Sequence, residues 1–381
     1  MRTVNPKMYI LAGVLAILVL ALSGCAAPAA PAAPAATVEE TAAAEATTAE
    51  ATEEATAEAP AAEATEEPTA EAPAAEASAP VKVRLVYGVK GDGFYVTMEK
   101  GARAKAEELG VDFNADGPAQ FDATLQRPIL DATVAQQPSA ICIAATDKQA
   151  FIEPLRAASD AGINVISVDT FIGDTAGDYT SGDVTFPLSY IGSDNVEGGR
   201  VACQAVIDAM GGSGKMYIQN VRPGISTTDQ REQGCKEAID ATGGKVELVG
   251  VDYNDDSAAK AAEQTAAVLQ RVPDLSGVFG ANLFSAEGAS QAVKNAGLTG
   301  TVKVAAFDAP EAAIEDLRNE VVDIVIAQHP YEMGQKCIEY AVAAANGDTA
   351  SIDKRWPTGY TIITRDNVDT EEAQQSIYSA E

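Results

Sequence analysis

From residue 81 onward, short apolar runs alternate with longer amphipathic ones, and this alternation constrains the fold more than any other feature of the chain. VRLVYGV precedes FYVTMEKGARAKAEELG, VDFNAD precedes ATLQRPILDATVAQ, AICIAAT precedes FIEPLRAASDAG, and INVISVDT follows. Strand then helix, repeated, calls for a parallel sheet with helices on both faces. After a Gly-, Asp- and Thr-rich excursion at 173–186, the pattern resumes with SYIGSD and VEGGRVACQAVIDAM and continues to VDIVIAQH. A long helix, YEMGQKCIEYAVAAANG, and a strand, YTIIT, close the chain. The expected class is α/β, with two doubly wound parallel-sheet lobes in series.

The first 80 residues are of another kind. Arg2 and Lys7 precede an apolar run that ends in Leu22-Ser23-Gly24-Cys25, the pattern of a secretory signal with a lipobox, which makes residues 1–24 a signal peptide and Cys25 the lipidated N-terminus. An uncleaved membrane anchor would leave the rest of the chain on the same, extracytoplasmic side. Residues 25–80 are almost entirely Ala, Glu, Thr and Pro, with 12 glutamates and no Lys or Arg. Such a segment has too little apolar surface to offset the entropy of ordering, and it reads as a disordered, self-repelling tether.

The remaining 300 or so residues, enough for two packed lobes, carry 44 acidic against 24 basic side chains, so nucleic acid is excluded as a partner for want of a basic face. Beyond Cys25 the cysteines are Cys142, Cys203, Cys235 and Cys337, without the spacing of a metal site. Cys142 lies in the apolar run AICIAA and reads as a core residue. Cys203 and Cys235 fall on two expected helices of one lobe, where an exported protein can bond them.

In open parallel sheets, ligands collect where strands end and helices begin. The strand ends here supply Asp92-Gly93-Phe94-Tyr95, Thr146-Asp147, Asp169-Thr170, Asn282, Asp308 and Gln328. Carboxylates and amides of this kind suit a neutral, hydroxyl-rich small molecule, with flat aromatic faces over its C–H side. KGDGFYVTMEKGA (90–102) is not a dinucleotide loop, because Val96 stands where the third small residue belongs and Phe94 and Tyr95 crowd the phosphate position. Gly91 and Gly93 are expected to turn the chain over a cleft. DYNDDSAAKAAE (252–263) resembles a calcium loop at Asp252, Asn254, Asp256 and Glu263, yet it lacks the central glycine and follows a strand. Helix-capping acids are the plainer reading, with one of them free to face a cleft. The lone histidine, His329, follows the last strand of the second lobe, and no nucleophile elbow, HExxH or Walker motif is present, so neither enzyme activity nor a cofactor or metal is expected. Arg231 in TDQREQG either holds vicinal hydroxyls beside helix N–H groups or pairs at the surface with Asp229 or Glu232.

These segments resemble, over nearly all of residues 81–364, the periplasmic sugar-binding proteins of ABC transporters, the ribose/galactose-binding type I group. GDGFYVTMEKGARAKAEELG is similar to the family's opening loop, which places Asp92, Phe94 and Tyr95 on the ligand. INVISVDT is similar to the strand ending in Asp-Arg and puts Asp169 and Thr170 there. TTDQREQGCKEAI, GVFGANLFSAEGA, VAAFDAP and VDIVIAQHPYEMG bring Arg231, Asn282, Asp308 and Gln328 to matching positions. The resemblance implies lobe one at 81–193 plus 329–355, lobe two at 194–328 plus 356–381, and three crossings as a hinge. It also implies a lipid-anchored monomer that captures a monosaccharide or polyol for an ABC permease, without turnover. A chemoreceptor or sensor kinase as the reader of the closed form is the alternative, and an exported α/β enzyme is a weaker one. Thr170 in place of Arg, and Leu283 after Asn282 in place of Asp, point to a smaller or less polar ligand shaped by Thr170 and Phe284, such as a polyol, a deoxy sugar or a furanose-like signal molecule.

Overall fold

A computed structural model describes residues 80–378. The signal, Cys25 and nearly all of the tether lie outside the described residues, and among those described no helix is long and apolar enough to cross a membrane. The first lobe runs β1 (Lys82–Val86), α1 (Gly93–Leu109), β2 (Asp112–Asp116), α2 (Ala123–Ala135), β3 (Ala140–Ile143), α3 (Ile152–Asp160), β4 (Asn164–Val168) and β5 (Ser189–Ser193). The second continues with α4 (Asn195–Ala209), β6 (Gly214–Asn220), α5 (Ser226–Ala241), β7 (Val246–Tyr253), α6 (Ala258–Arg271), β8 (Leu275–Gly280), α7 (Leu283–Asn295), β9 (Lys303–Phe307), α8 (Glu311–Arg318) and β10 (Ile324–Gln328). Then follow α9 (Pro330–Ala345), β11 (Arg355–Thr358), β12 (Tyr360–Ile363) and α10 (Glu371–Gln375).

Each lobe holds a six-stranded sheet, in the orders β11-β5-β4-β3-β1-β2 and β12-β10-β9-β8-β6-β7. All pairings are parallel except β10 with β12, so the C-terminal strand YTIIT is an antiparallel edge on an otherwise parallel sheet. β11 pairs with β5 through Thr358, so the chain stays in lobe one's sheet past residue 355, where the sequence reading ended it. The central strands, such as AICI of β3 and IVIAQ of β10, are buried at every position, as expected where helices cover both faces.

Three crossings join the lobes, after Ser193, after Gln328 and after Thr358. They meet at one hydroxyl: Ser193 Oγ donates to Gln328 Oε1 at 2.9 Å and lies 3.3 Å from Thr358 Oγ1. His329, just past the second crossing, bonds Thr361 at 3.0 Å and sits 3.6 Å from Glu332, a structural place at the interlobe crossing. The excursion at 173–186 is anchored by buried Tyr179, whose hydroxyl meets Ser167 at 2.7 Å and accepts from Ile172 N at 3.1 Å.

The two lobes use the same pair of devices to seat a helix pair. α1 packs on α9, and α4 on α5. A Cβ on Gly101 would overlap the Tyr331 carbonyl and one on Gly334 the Met98 carbonyl, while Gly199 and Gly234 stand in the same relation to the carbonyls of Arg231 and Val196. A disulfide adds to each: one bonds the α4–α5 pair itself, and the other fastens α9 to the sheet beneath it. Cys203 of α4 is bonded to Cys235 of α5, with Cα atoms 5.1 Å apart. Cys142 of β3 is bonded to Cys337 of α9 at 6.3 Å, so Cys142 is buried as expected but is not a plain core residue. That bond closes a loop of 195 residues, which the chain-entropy view values at about 5 kcal/mol.

Gly234→Ala is expected to force α4 and α5 apart and lower stability by about 1–3 kcal/mol, read as a reduced melting temperature with the secondary structure retained. An unchanged melt would show that the helix pair has slack.

Candidate functional site

Between the lobes lies a cavity of about 390 Å³, including its opening, and eight of the nine expected ligand residues line it: Asp92, Phe94, Tyr95, Asp169, Arg231, Asn282, Asp308 and Gln328. Asp169, Asn282, Asp308 and Gln328 stand at or just past strand ends, while Asp92, Phe94, Tyr95 and Arg231 come from the cap and first two turns of the helices that follow β1 and β6, and in a parallel sheet all of these lie at the same edge. Gly91, at φ +81°, makes the turn that drops the chain into α1, whereas Gly93 is already the first residue of that helix.

Asp92 caps α1 by accepting from Phe94 N at 2.8 Å. Burial, followed by the charge of Asp308, raises its pKa well above the ordinary carboxylate range. Phe94 stands edge-on to Tyr378 at 5.8 Å, and the Tyr95 hydroxyl donates to Asp169 Oδ2 at 2.8 Å. Asp169 sits at φ +63°, and its carbonyl accepts from the Tyr190 hydroxyl at 2.7 Å. Burial lifts its pKa to about 6 against the pull of Arg231.

Arg231 is 2% exposed, which removes the surface salt-bridge reading. Its Nε donates to Asn195 at 2.9 Å, its Nη1 to the Ala281 carbonyl at 3.0 Å, and its guanidinium lies 3.8 Å from the centre of the Phe307 ring. Asp229 and Glu232 pair with Lys148 and Lys236 instead. Asp308 gathers donors from Leu283 N (3.0 Å), Gln328 Nε2 (2.8 Å) and the Tyr378 hydroxyl (3.0 Å), with Arg231 at 3.8 Å.

Thr170 is the expected residue that does not arrive. Its hydroxyl turns back to the Ala145 carbonyl at 2.8 Å, inside lobe one. Phe284 likewise packs against the main apolar cluster and is no part of the lining. The acid that seemed lost after Asn282 is present from elsewhere: Asp256, one of the acids of DYNDDSAAKAAE, lines the cavity and accepts from Asn282 Nδ2 at 2.7 Å. Burial raises its pKa to about 6. Asp252 instead meets Tyr217, Asn254 meets Ser285, and Ser257 caps α6, so this stretch does not wrap a cation. Among the described residues no group of His, Cys, Asp and Glu is placed to hold a metal ion. Phe121, Val221, Ile225, Thr227 and Thr228 complete the lining, with no motif to announce them.

The lobes are drawn together over this cavity. Arg222, in the loop between β6 and α5 of lobe two, reaches two carbonyls of lobe one, Phe121 O at 2.6 Å and Thr146 O at 3.1 Å. Lys148 N donates to Gly224 O at 3.1 Å, and Phe171 N to Ser226 Oγ at 2.9 Å.

Because Asp169 and Asp256 hold their protons to about pH 6 in the folded cleft against an ordinary 3.8, the stability tied to them is fully present below about 3.8. It is lost as the pH rises through 6. Asp256→Asn or Asp169→Asn should therefore raise the stability of ligand-free protein at pH 8 by up to about 3 kcal/mol each, read as a higher melting temperature, and do little at pH 4. Equal effects at both pH values would contradict this.

The comparisons agree with the geometry. The profile of the periplasmic binding protein domain matches residues 83–349. A solute-binding protein of an ABC transporter from Agrobacterium vitis, solved bound with alpha-D-tagatopyranose, is 45% identical with a TM-score of 0.76, covering 78% of this chain and 99% of its own. A carbohydrate transporter solute-binding protein from Agrobacterium radiobacter in complex with D-arabinose is 26% identical, with a TM-score of 0.73 and coverage of 79% and 99%. The D-allose-binding periplasmic protein of Escherichia coli K12 is 26% identical over 279 residues, 72% of this chain and 88% of that protein. With a domain profile spanning most of the folded residues and a 45% identical solute-binding protein beside it, this chain belongs to the periplasmic binding protein family.

Proposed function

We propose that the chain is the sugar-binding component of an ABC importer and takes a neutral monosaccharide, a hexose in pyranose form first among them, into the cleft between its lobes. The observation that carries this reading is the interlobe cavity, where strand-end carboxylates and amides from both sheets converge beside the Phe94 and Tyr95 rings. Such a set accepts and donates to ring hydroxyls while the aromatic faces cover C–H surface. The Agrobacterium vitis relative bound with alpha-D-tagatopyranose supports a ketohexose as the first ligand to try. The acids of the cleft, with Asp256 in place of the one missing after Asn282, favour a fully hydroxylated sugar over a deoxy sugar or other less polar ligand.

The family is one of transport binding proteins, not of enzymes, and its members work outside the cytoplasm. Within that frame, Asp92, Asp169, Asp256 and Asp308 are the hydroxyl acceptors of our reading, and Arg231 and Asn282 the donors. Gln328 positions Asp308 between hinge and site. Ser193, Gln328 and Thr358 mark the hinge, so that lobe two comprises 194–328 and the segment after 358. Cys25 as a lipid anchor, residues 25–80 as its spacer and a monomeric state complete the proposal, with an ABC permease as the partner. A chemoreceptor or sensor kinase that reads the closed form is the second reading, and a permease and ATPase encoded alongside would favour transport.

Thermal-shift and calorimetric titration with D-tagatose, D-arabinose, D-allose and D-ribose tests this, since a ligand of the folded state raises its melting temperature by mass action. At least one sugar should bind with no product formed, and Arg231→Ala should abolish the shift. Consumption of the sugar, or no response to any of them, would sink the proposal. Arg222→Ala, which removes the grip between lobes, should raise the Kd about tenfold, mainly through faster release in stopped-flow traces. An unchanged release rate would rule out that grip as a restraint on opening.

A further inference from the structure

The cleft has a donor end whose donors are not spent within the protein. α5 begins at Ser226 after Ile225, whose side chain makes no cap hydrogen bond, so its first-turn amides lack the side-chain acceptor that usually serves a helix start. The nearby polar side chains are committed elsewhere. Ser226 Oγ accepts from Phe171 N at 2.9 Å across the lobes, and the Asp229 carboxylate accepts from Gly224 N at 3.2 Å and faces Lys148 at 3.4 Å. Ile225, Thr227 and Thr228 all line the cavity, which places this uncapped turn against it.

A second observation stands independently of the helix end. Thr228 is 3% exposed, and among the described residues its hydroxyl has no hydrogen-bond partner. A buried hydroxyl left unpaired costs about 1–3 kcal/mol, and of the four such hydroxyls among the described residues, those of Thr175, Ser189, Thr228 and Thr265, only Thr228 belongs to a residue that lines the cavity. Arg231, one turn further on, already has Nε on Asn195 and Nη1 on Ala281. With Asp229 N already on Ile225 O, the Thr228 hydroxyl and the amides that precede it join the remaining N–H groups of Arg231 as the uncommitted donors of this wall. The cavity also presents the carboxyl groups of Asp92, Asp169, Asp256 and Asp308, which are acceptors when charged.

We propose that the first turn of α5, with the Thr228 hydroxyl at its centre, is a specificity subsite that orients the sugar by binding one of its acceptor oxygens while the carboxyl wall takes its hydroxyl protons. This rests on the sugar-binding reading above and adds to it the polarity with which the sugar enters. The subsite is for a neutral sugar oxygen and not for a sugar acid, because the one guanidinium of the lining already faces Asp308 at 3.8 Å and no cation is left to pair a further buried carboxylate.

The test compares the wild type with Thr228→Val, which keeps the shape and removes the hydroxyl, and Thr228→Ser, which keeps the hydroxyl. Affinities for D-tagatose, D-arabinose, D-allose, D-ribose and D-galacturonate are measured by calorimetry, and melting temperatures without ligand. Thr228→Val should weaken the best sugar about tenfold, and Thr228→Ser should restore most of that loss. The ligand-free melting temperature of Thr228→Val should be equal to or above that of the wild type, because an unpaired hydroxyl has been replaced by a methyl. D-galacturonate should not bind the wild type. Unchanged affinity in Thr228→Val, a ligand-free melt lowered by several degrees, or tighter binding of D-galacturonate than of any neutral sugar would each overturn the subsite. A wild type that binds none of the neutral sugars would overturn the sugar-binding reading itself, and the subsite with it.

Discussion

One amide joins the hinge to the cleft. Gln328 accepts from Ser193 at its oxygen and donates to Asp308 from its nitrogen, so the two ends of a rigid planar group lie in different parts of the machine. On the hinge side it meets the crossing at Ser193, whose hydroxyl also touches Thr358 of the third crossing. On the cleft side it fixes a carboxylate that further segments address through Leu283, Tyr378 and Arg231. A planar group cannot turn toward one partner without turning from the other. The relative position of the three crossings and the aim of Asp308 are therefore set together.

The cleft is built against the ordinary preferences of a protein interior. Buried polar groups are normally paired within the protein, and buried carboxylates normally meet cations. Here Asp92, Asp169 and Asp256 share one cavity with a single bordering arginine, and burial pushes each of the three toward the protonated form. Thr228 adds a hydroxyl with no partner. Rigidity comes from elsewhere, from helices seated glycine to carbonyl and locked by Cys142–Cys337 and Cys203–Cys235. Stability and recognition are thus carried by separate parts of each lobe.

Much of this was legible in the residues. Alternating strand and helix runs imply parallel sheets, and parallel sheets dictate where polar strand-end residues collect, so Asp92, Asp169, Asn282 and Asp308 could be named from position alone. The exceptions have local causes. Asp169 adopts φ +63°, which redirects the chain by one residue and sends Thr170 back to Ala145. Asp256 stands in a run of acids: Asp255 and Asp256 both take positive φ, +54° and +63°, Asp255 pairs with Lys260, Ser257 takes the helix cap, and Asp256 is left to the cleft. Cys337 lies 195 residues from Cys142, on a helix that returns to the first lobe after all but the last strand of the second sheet has been made, and no spacing rule reaches that far. β12 enters the second sheet antiparallel to β10 only one residue, Gly359, after β11 leaves the first, and the alternation of strand and helix carries no sign of it.

The Arg222 contact has an evolutionary side. Its guanidinium holds main-chain carbonyls of Phe121 and Thr146, atoms that every residue type supplies. Substitution of those two side chains costs only the contact of Arg222 with the Phe121 ring, 5.8 Å away, and leaves both acceptors in place, provided the loops keep their path. The grip between lobes is thereby insulated from the sequence drift that retunes a cleft for a new sugar, and relatives with different ligands can inherit one closing mechanism unchanged.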